Sequence, residues 1–340
     1  MLPVESRAPV DAQAWPCPAA DGRAGVAVVV KAAFGAGCGA VCRLQEAPPP
    51  LEPAERYPAH PATSAPAAPA DRVPGKHGCD VWVSGAAQLA DGAAWARVEL
   101  ALWDAGGSCL VGPKALWALG DGSPEAAAPA LADEAPGRVP LRYELAYGGP
   151  VTASSRAERY PPNPVGRGHR PFGRPRPGEP EPRLLWAGGR ATRRGAPAGL
   201  GPLAAGWAPR VGRQGRLDAD AYRRGVLRYR RPPHPQAFNA APDDQQAASP
   251  LRGDETVTLQ GLVPGAPPGE RVVWRLPGWR PAVTLVRGAR AERLEVRLDT
   301  LGIEPEAQRL WAVWRGWLEE RVVRDARALV VEASSAREEA

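Results

Sequence analysis

Turn signals, rather than helix caps, divide this chain into segments. In "WARVELALWDAGGSCLVGPKALWALGDG" (95–122) two stretches of strand length are separated by Gly106-Gly107 and closed by Asp121-Gly122. Within the first, Ala96, Val98, Leu100 and Leu102 alternate with Arg97 and Glu99. Alternation of period two places apolar side chains on one face of a sheet, and Asp-Gly and Gly-Gly pairs tolerate the positive φ of tight hairpins. The pattern predicts an antiparallel meander. "CDVWVSGAAQL" (79–89), ended by Asp91-Gly92, belongs to it, and "PLRYELAYGGP" (140–150) alternates again through Leu141, Tyr143, Leu145 and Tyr147.

The earlier stretch "GVAVVVKAAF" (25–34) is continuously apolar except for Lys31. A valine-rich run without alternation suits a strand covered on both faces. Towards the C-terminus, "ETVTLQGL" (255–262), "RVVWRLP" (271–277), "PAVTLVRG" (281–288) and "RLEVRLDT" (293–300) read as strands. "RLWAVWRGWL" (309–318) spaces its tryptophans by three, as a helix face would, but its tryptophan content and Gly316 favour a strand.

Two regions have no period. The first, 46–74, is dense in proline, which blocks helix and sheet interiors, and predicts an extended, partly polyproline-like surface connection. The second, 150–250, is rich in proline, glycine and arginine. Its Trp186, Trp207, Tyr222, Tyr229 and Phe238 favour irregular chain pinned over the sheets, because disordered segments are poor in aromatics. The expected fold is mainly β: antiparallel, sandwich-like sheets in one or two lobes, long irregular connections and little helix. The divisions are an N-terminal β-meander lobe (1–155), an irregular Arg/Pro-rich segment (156–250) packed over the sheets, and a C-terminal β lobe (251–340), separate from or continuous with the first.

Arginine dominates the basic residues, and lysine occurs only at 31, 76 and 114. Each lysine is either a chance surface survivor or a position that wants a compact ammonium rather than a planar fork. The net charge of +6 is unevenly placed: 156–231 holds 18 arginines against 5 acids. That basic middle either docks on acidic parts of the same fold or faces an acidic partner. The five cysteines (17, 38, 42, 79 and 109) fit no metal spacing and read as free buried thiols of a reducing cytoplasm. No apolar run reaches the ~20 residues that span a bilayer, and "MLPVESRAPVDAQAW" lacks the basic and apolar regions of a signal peptide. The expected location is cytoplasmic, without membrane contact.

Searches for chemistry fail. Phosphate-binding, zinc-protease and serine-nucleophile motifs are absent from the sequence. Gly166-Arg167-Gly168 lacks a third glycine and a strand-to-helix transition. His60, His77, His169 and His234 are scattered, and Asp243-Asp244 and Asp254-Glu255 are adjacent pairs whose side chains point apart on a strand and read as solvated turns. No catalytic residue, metal or cofactor is expected.

Several stretches, in order, carry a family resemblance. "VVVKAAF" (28–34) looks like an opening strand, followed by Gln45 before the proline-rich link. "DRVPGKHGCDVWVSG" (71–85) places Asp71, Lys76, Asp80 and Gly85, and "GPKALW" (112–117) follows. "PLRYELAYGGP" supplies Tyr143, Tyr147, Gly148 and Gly149. "NPVGRGH" (163–169), with Asn163, Pro164, Gly166 and Gly168, is the most specific. "AFNAAPDDQQ" (237–246) places Phe238, Asn239, Pro242 and Gln245. "LRGDETVTLQGL" (251–262) places Gly253 and Glu255, and "LDTLGI" (298–303) places Asp299. The chain thereby resembles the bacterial family named domain of unknown function 2169, departing from it over 207–236, where "GRLDADAY" stands for a longer element.

The resemblance implies a non-enzymatic adaptor or chaperone of a type VI secretion system, helping to load an effector onto a secretion spike, with the effector, the spike protein or both as partner. The motif residues are then structural. The expected partner-facing residues are Arg167, Arg170, Arg174, Arg176, Arg193 and Arg194 in the basic middle. The twelve tryptophans leave a β-sandwich carbohydrate-active or hydrolase-like protein as the rival reading. Nucleic-acid binding comes behind it: the middle has basic and aromatic residues, but no helix-turn-helix, RRM or KH pattern.

Overall fold

A computed structural model describes residues 2–19, 21–37, 41–120, 136–151, 158–170, 180–225 and 229–335. It is mainly β, with several antiparallel sheets, no barrel, and three short α-helices among the described residues (Arg210–Arg213, Ala219–Arg223 and Glu320–Val323). A seven-stranded sheet runs in the order Gln246–Ala247, Cys79–Val83, Arg297–Glu304, Arg309–Glu319, Gly25–Gly35, Asp11–Pro16, with Arg43–Leu44 beside the end of Gly25–Gly35. Strands from both ends of the chain therefore share one sheet. A five-stranded sheet runs Leu184–Trp186, Cys109–Leu119, Trp95–Trp103, Thr256–Gln260, Arg271–Arg275. A four-stranded sheet joins Val4–Ser6, Ala328–Ser335, Trp279–Arg287 and Arg290–Leu294. Among the described strands three pairings are parallel: Cys79–Val83 with Arg297–Glu304, Val4–Ser6 with Ala328–Ser335, and Tyr147–Gly148 with Arg167–Gly168.

One contiguous apolar core draws on all three sheets, through Val28, Val30 and Val81, through Leu100, Leu116 and Val257, and through Val283, Leu285 and Leu329. The strand Gly25–Gly35 is buried along almost its whole length, which explains its lack of alternation. Val28, Val30, Ala32 and Phe34 face the main core, whereas Val29 and Ala33 face a second cluster with Trp82, Trp311 and Val313. The proline-rich link covers that second face: Leu51 and Ala68 pack into the cluster, and Lys31 Nζ donates to Pro50 O at 3.0 Å. What looks in sequence like a surface connection is in part a covering layer.

Three further stretches differ from the sequence reading. Residues 293–300 do not form one strand. Arg290–Leu294 pairs with Trp279–Arg287, while Arg297–Glu304 enters the seven-stranded sheet, and the chain breaks at Glu295 and Val296 to change sheets. "CDVWVSGAAQL" divides likewise into Cys79–Val83 and Ala86–Gln88, the latter paired with Arg138–Pro140. "PLRYELAYGGP" is no continuous strand: Tyr143–Leu145 is a 3-10 turn, and Tyr147–Gly148 forms two residues of strand against Arg167–Gly168. The tryptophan-rich 309–318 lies in the strand Arg309–Glu319, with Trp311 and Trp314 in different clusters. The Asp121-Gly122 turn and Cys38 lie outside the described residues. Among the remaining cysteines Cys42 and Cys79 are buried, Cys17 is half-buried, and Cys109 is exposed, contrary to the expectation of buried thiols. No helix among the described residues is long and apolar enough to cross a membrane.

Candidate functional site

The motif residues converge first on a buried set of matched charges. Lys31, Arg315, Asp299 and Asp80 stand on four neighbouring strands of the seven-stranded sheet, and Asp71 comes down on them from the proline-rich link. Lys31 Nζ lies 3.1 Å from Asp71 Oδ2 and 4.3 Å from the Trp311 ring centre. Arg315 bonds Asp299 through Nη1, and its Nε donates to Asp71 O at 3.1 Å. Its Nη2 is 3.6 Å from Asp71 Oδ1, an ion pair too long for a hydrogen bond. Burial alone would lower the Arg315 pKa, but the carboxylates of Asp299 and Asp71 raise it above its ordinary value. Lys76 Nζ donates to Asp80 Oδ2 and Thr300 Oγ1, both at 2.8 Å. The Asp80 carboxylate also accepts from Asn239 Nδ2 at 2.8 Å and Ala240 N at 2.7 Å. Three cations thus face three carboxylates.

The segment 237–246 connects this set to a cleft. Past Phe238, Asn239 and the buried Pro242, the Gln245 amide donates to Val81 O at 2.9 Å and Leu200 O at 2.8 Å. Gln245 Oε1 and Asp244 Oδ1 accept from Lys114 Nζ, at 2.7 and 2.9 Å. All three lysines are therefore buried and partnered, so the surface-survivor reading fails for each. Burial lowers the Lys114 pKa, partly offset by Asp244.

Lys114 forms part of the floor of a cleft of about 710 Å³. Its Nζ sits 4.8 Å from the Trp186 ring centre. Tyr143, Tyr160, Leu203 and the prolines at 162, 197, 209 and 242 add apolar walls. Asp243 and Asp244 line one side; Asp243 is held by both terminal nitrogens of Arg213, at 2.8 and 2.7 Å. Both aspartates lie exposed on the 3-10 turn Asp243–Gln245, as the sequence suggested, and each also holds a cation. Arg193 and Arg194 also line the cleft and are exposed, on a hairpin of Thr192–Arg193 and Ala196–Pro197. The Arg193 guanidinium carbon is 5.8 Å from the Trp186 ring centre.

"NPVGRGH" does not line this cleft but supports it from behind, through Tyr143 and Tyr160. Asn163 is fully buried, and its amide donates to Tyr143 O at 2.8 Å and Tyr147 O at 3.0 Å. Those bonds hold the 3-10 turn and account for the lost strand at 140–150. Gly149 has φ +85°, and a Cβ there would stand 2.0 Å from Gly166 O. Gly168 has φ +77° beside Pro182. Pro164 O accepts from Arg159 at 3.1 Å. Elsewhere the motif residues serve local turns: Glu255 accepts from Gly253 N at 2.8 Å, and Gly85 lies against Pro305.

The six partner-facing candidates separate. Arg167 Nε donates to Glu144 O at 2.9 Å, and Arg170 pairs with Glu181 at 2.9 Å with its side chain 14% exposed. Both are bonded within the fold. Arg174 and Arg176 lie outside the described residues. Arg193 and Arg194 reach the cleft. Much of the remaining basic middle is also tied down: Arg183 Nε donates to Leu119 O, Arg210 to Glu55, and Arg223 to Asp220. Sequence reasoning missed Trp186, Tyr160, Lys114 and Asp244 as one site. Lys114 was the visible signal, through lysine's rarity.

Among the described residues, the cleft's carboxylates are both in ion pairs, Asp244 with Lys114 and Asp243 with Arg213. Among the described residues no group of three or more His, Cys, Asp or Glu could hold a metal ion. Exposed Trp95 and half-buried Trp117 meet edge to face at 89°, so they form no flat stacking platform.

Antiparallel β-sheets, capped by an irregular arginine-bearing middle that frames one cleft, define the class of protein. The chain belongs to the family described as uncharacterized protein conserved in bacteria (DUF2169), whose model matches residues 21–315. No curated protein and no solved structure matches it.

Proposed function

We propose that the chain is a cytoplasmic, non-enzymatic adaptor or chaperone of a type VI secretion system that holds an effector or spike protein for loading. The secretion role comes from the resemblance carried by the ordered motifs. One observation carries the binding role: Arg193 and Arg194 stand at the mouth of the cleft without a carboxylate partner among the described residues. Most arginines around them are bonded to carbonyls or acids. Unmatched cations beside an apolar wall steer and hold an acidic partner, chiefly through the association rate.

The test is co-expression with an effector or spike protein of the host's type VI secretion system, followed by size-exclusion chromatography. A complex is expected at low salt and should weaken as salt rises, because exposed charges are screened beyond ~8 Å at physiological ionic strength. Arg193→Glu with Arg194→Glu should release the partner while leaving the melting temperature unchanged. A complex that survives both the reversal and high salt would exclude the cleft as the holding surface.

A further inference from the structure

The cleft's own lining narrows the chemistry of its occupant. Asp243 and Asp244 are engaged by Arg213 and Lys114, which leaves Arg193 and Arg194 as the uncompensated charges. Behind them the wall is Trp186, Tyr160, Leu203 and prolines. A volume of about 710 Å³ falls among small-ligand pockets and takes a few residues of chain, not a folded domain.

The arginine-bearing turn is held in place from two sides. Trp186 Nε1 donates to Ala196 O at 3.0 Å, and the Tyr160 hydroxyl donates to Gly195 O. Arg194 has φ +50° and Gly195 φ +78°, the paired positive values of a two-residue hairpin turn that favours Asn-Gly. An arginine in the first of those places adopts a conformation most side chains avoid. The molecule thus holds two guanidiniums, on a braced turn, at one edge of an apolar cleft. Bracing reduces the ordering cost of binding.

We propose that this cleft captures the C-terminal residue of an extended partner segment: its apolar side chain lies against Trp186 and the prolines, and its terminal carboxylate bonds Arg193 and Arg194. The inference rests on the adaptor reading and specifies what the adaptor grips. A C-terminus carries carboxylate and apolar side chain on one residue, matching cations that adjoin an apolar wall. It also enters the cleft once, whereas an internal acidic segment has to enter and leave. Guanidinium and carboxylate match in forked geometry.

The experiment is fluorescence anisotropy on the full chain with three labelled pools of short peptides. The first pool ends in a free carboxylate, with each apolar amino acid in turn at the last position. The second is the same pool amidated. The third is amidated and carries one glutamate before the last residue. The free acids should bind ~10–100-fold more tightly than either amidated pool, the worth of one to two charge-assisted bonds. Arg193→Ala with Arg194→Ala should bring the free acids down to the amide level, while Arg224→Ala, an exposed arginine outside the cleft, should change nothing. Equal binding of acids and amides, no binding of any pool, glutamate amides binding as well as the free acids, or indifference to the double variant would each overturn the proposal. Thermal melting of the double variant checks its fold.

Co-purification with an effector or spike protein of the host's type VI secretion system separates the two levels. If the double variant loses its partner while the peptides show no preference, the C-terminal inference falls and the adaptor reading stands. If the wild-type chain retains neither protein, the adaptor reading itself falls.

Discussion

The buried charges under the proline-rich link and the arginines at the cleft mouth follow opposite rules, although the segment 237–246 runs from one to the other. Below, Lys31, Lys76 and Arg315 are matched against Asp71, Asp80 and Asp299, and Asn239, Thr300 and backbone groups take up further bonding positions. A charge taken out of water has to be repaid by close partners, and here each cation has one. At the cleft, solvent supports Arg193 and Arg194, so no internal acid is required. The contrast locates function by exception. An arginine bonded within the fold says nothing about partners; an arginine left unmatched at a concave, apolar site does. Total charge is therefore a poor guide to the interface.

Breaking the closed side should have the largest effect. Asp71→Ala leaves Lys31 and part of Arg315 buried without a counter-charge, and should cost about 3–5 kcal/mol in denaturant unfolding. Lys31→Met combined with Asp71→Leu should cost less than Asp71→Ala alone, because charge and counter-charge leave together. If Asp71→Ala costs under ~1 kcal/mol, water reaches this set and the comparison collapses.

Breaking the frame behind the cleft should come next. Gly149→Val forces a side chain onto Gly166 O at φ +85°, and should cost about 1–3 kcal/mol or more by thermal melting. Gly168→Val, at φ +77° with its new Cβ 2.8 Å from the Pro182 ring, should be the milder of the pair because the contact is less close. An unchanged melting temperature in both variants would remove "NPVGRGH" from the scaffold.

How much of this could be read from the chain follows the same divide. Local periodicity placed the strands at 25–34, 95–103 and 271–275, since alternation and unbroken apolar runs record burial directly. Lysine's rarity pointed to 31, 76 and 114, but their partners lie up to 224 residues away for Lys76 and Thr300, and spacing does not encode that. The alternation at 140–150 misled because Asn163 claims the carbonyls of Tyr143 and Tyr147, a tertiary bond that overrides a two-residue period. In the arginine-rich middle, sequence gave Arg167 and Arg193 equal standing. Only folding turns Arg167 toward Glu144 O and leaves Arg193 beside Trp186.

A smaller effect should appear at the open side, and with the opposite sign for stability. Arg194→Asn replaces a residue at φ +50° by one that tolerates the left-handed region, and should raise stability by about 0.5–1 kcal/mol. The same change should weaken partner capture. Gain of stability with loss of binding is the signature of a residue kept for contact. If Arg194→Asn weakens both, the arginine belongs with the scaffold.

The smallest effect concerns His169, which fits neither rule: it is titratable, half-buried and paired with no acid among the described residues. Its Nδ1 is 3.1 Å from the Tyr147 hydroxyl, and its ring lies 4.9 Å from the Tyr160 ring, inside the frame that braces the cleft. Burial lowers its pKa below the ordinary 6.5. The unfolded chain therefore takes up a proton at a higher pH than the folded chain does. Between those two values the unfolded state binds more protons, so stability is full above 6.5 and falls as pH drops through the lower, folded value. His169→Phe keeps an aromatic ring against Tyr160 and removes the titration. The carboxylates titrate in both proteins and cancel in the comparison. On lowering the pH from about 7.5 to about 5.5, the wild type should lose more melting temperature than His169→Phe, by less than any change above because water reaches much of the ring. Parallel curves would mean that the imidazole ionises as it does in an open chain, and that the frame around the cleft tolerates a charge as readily as its rim does.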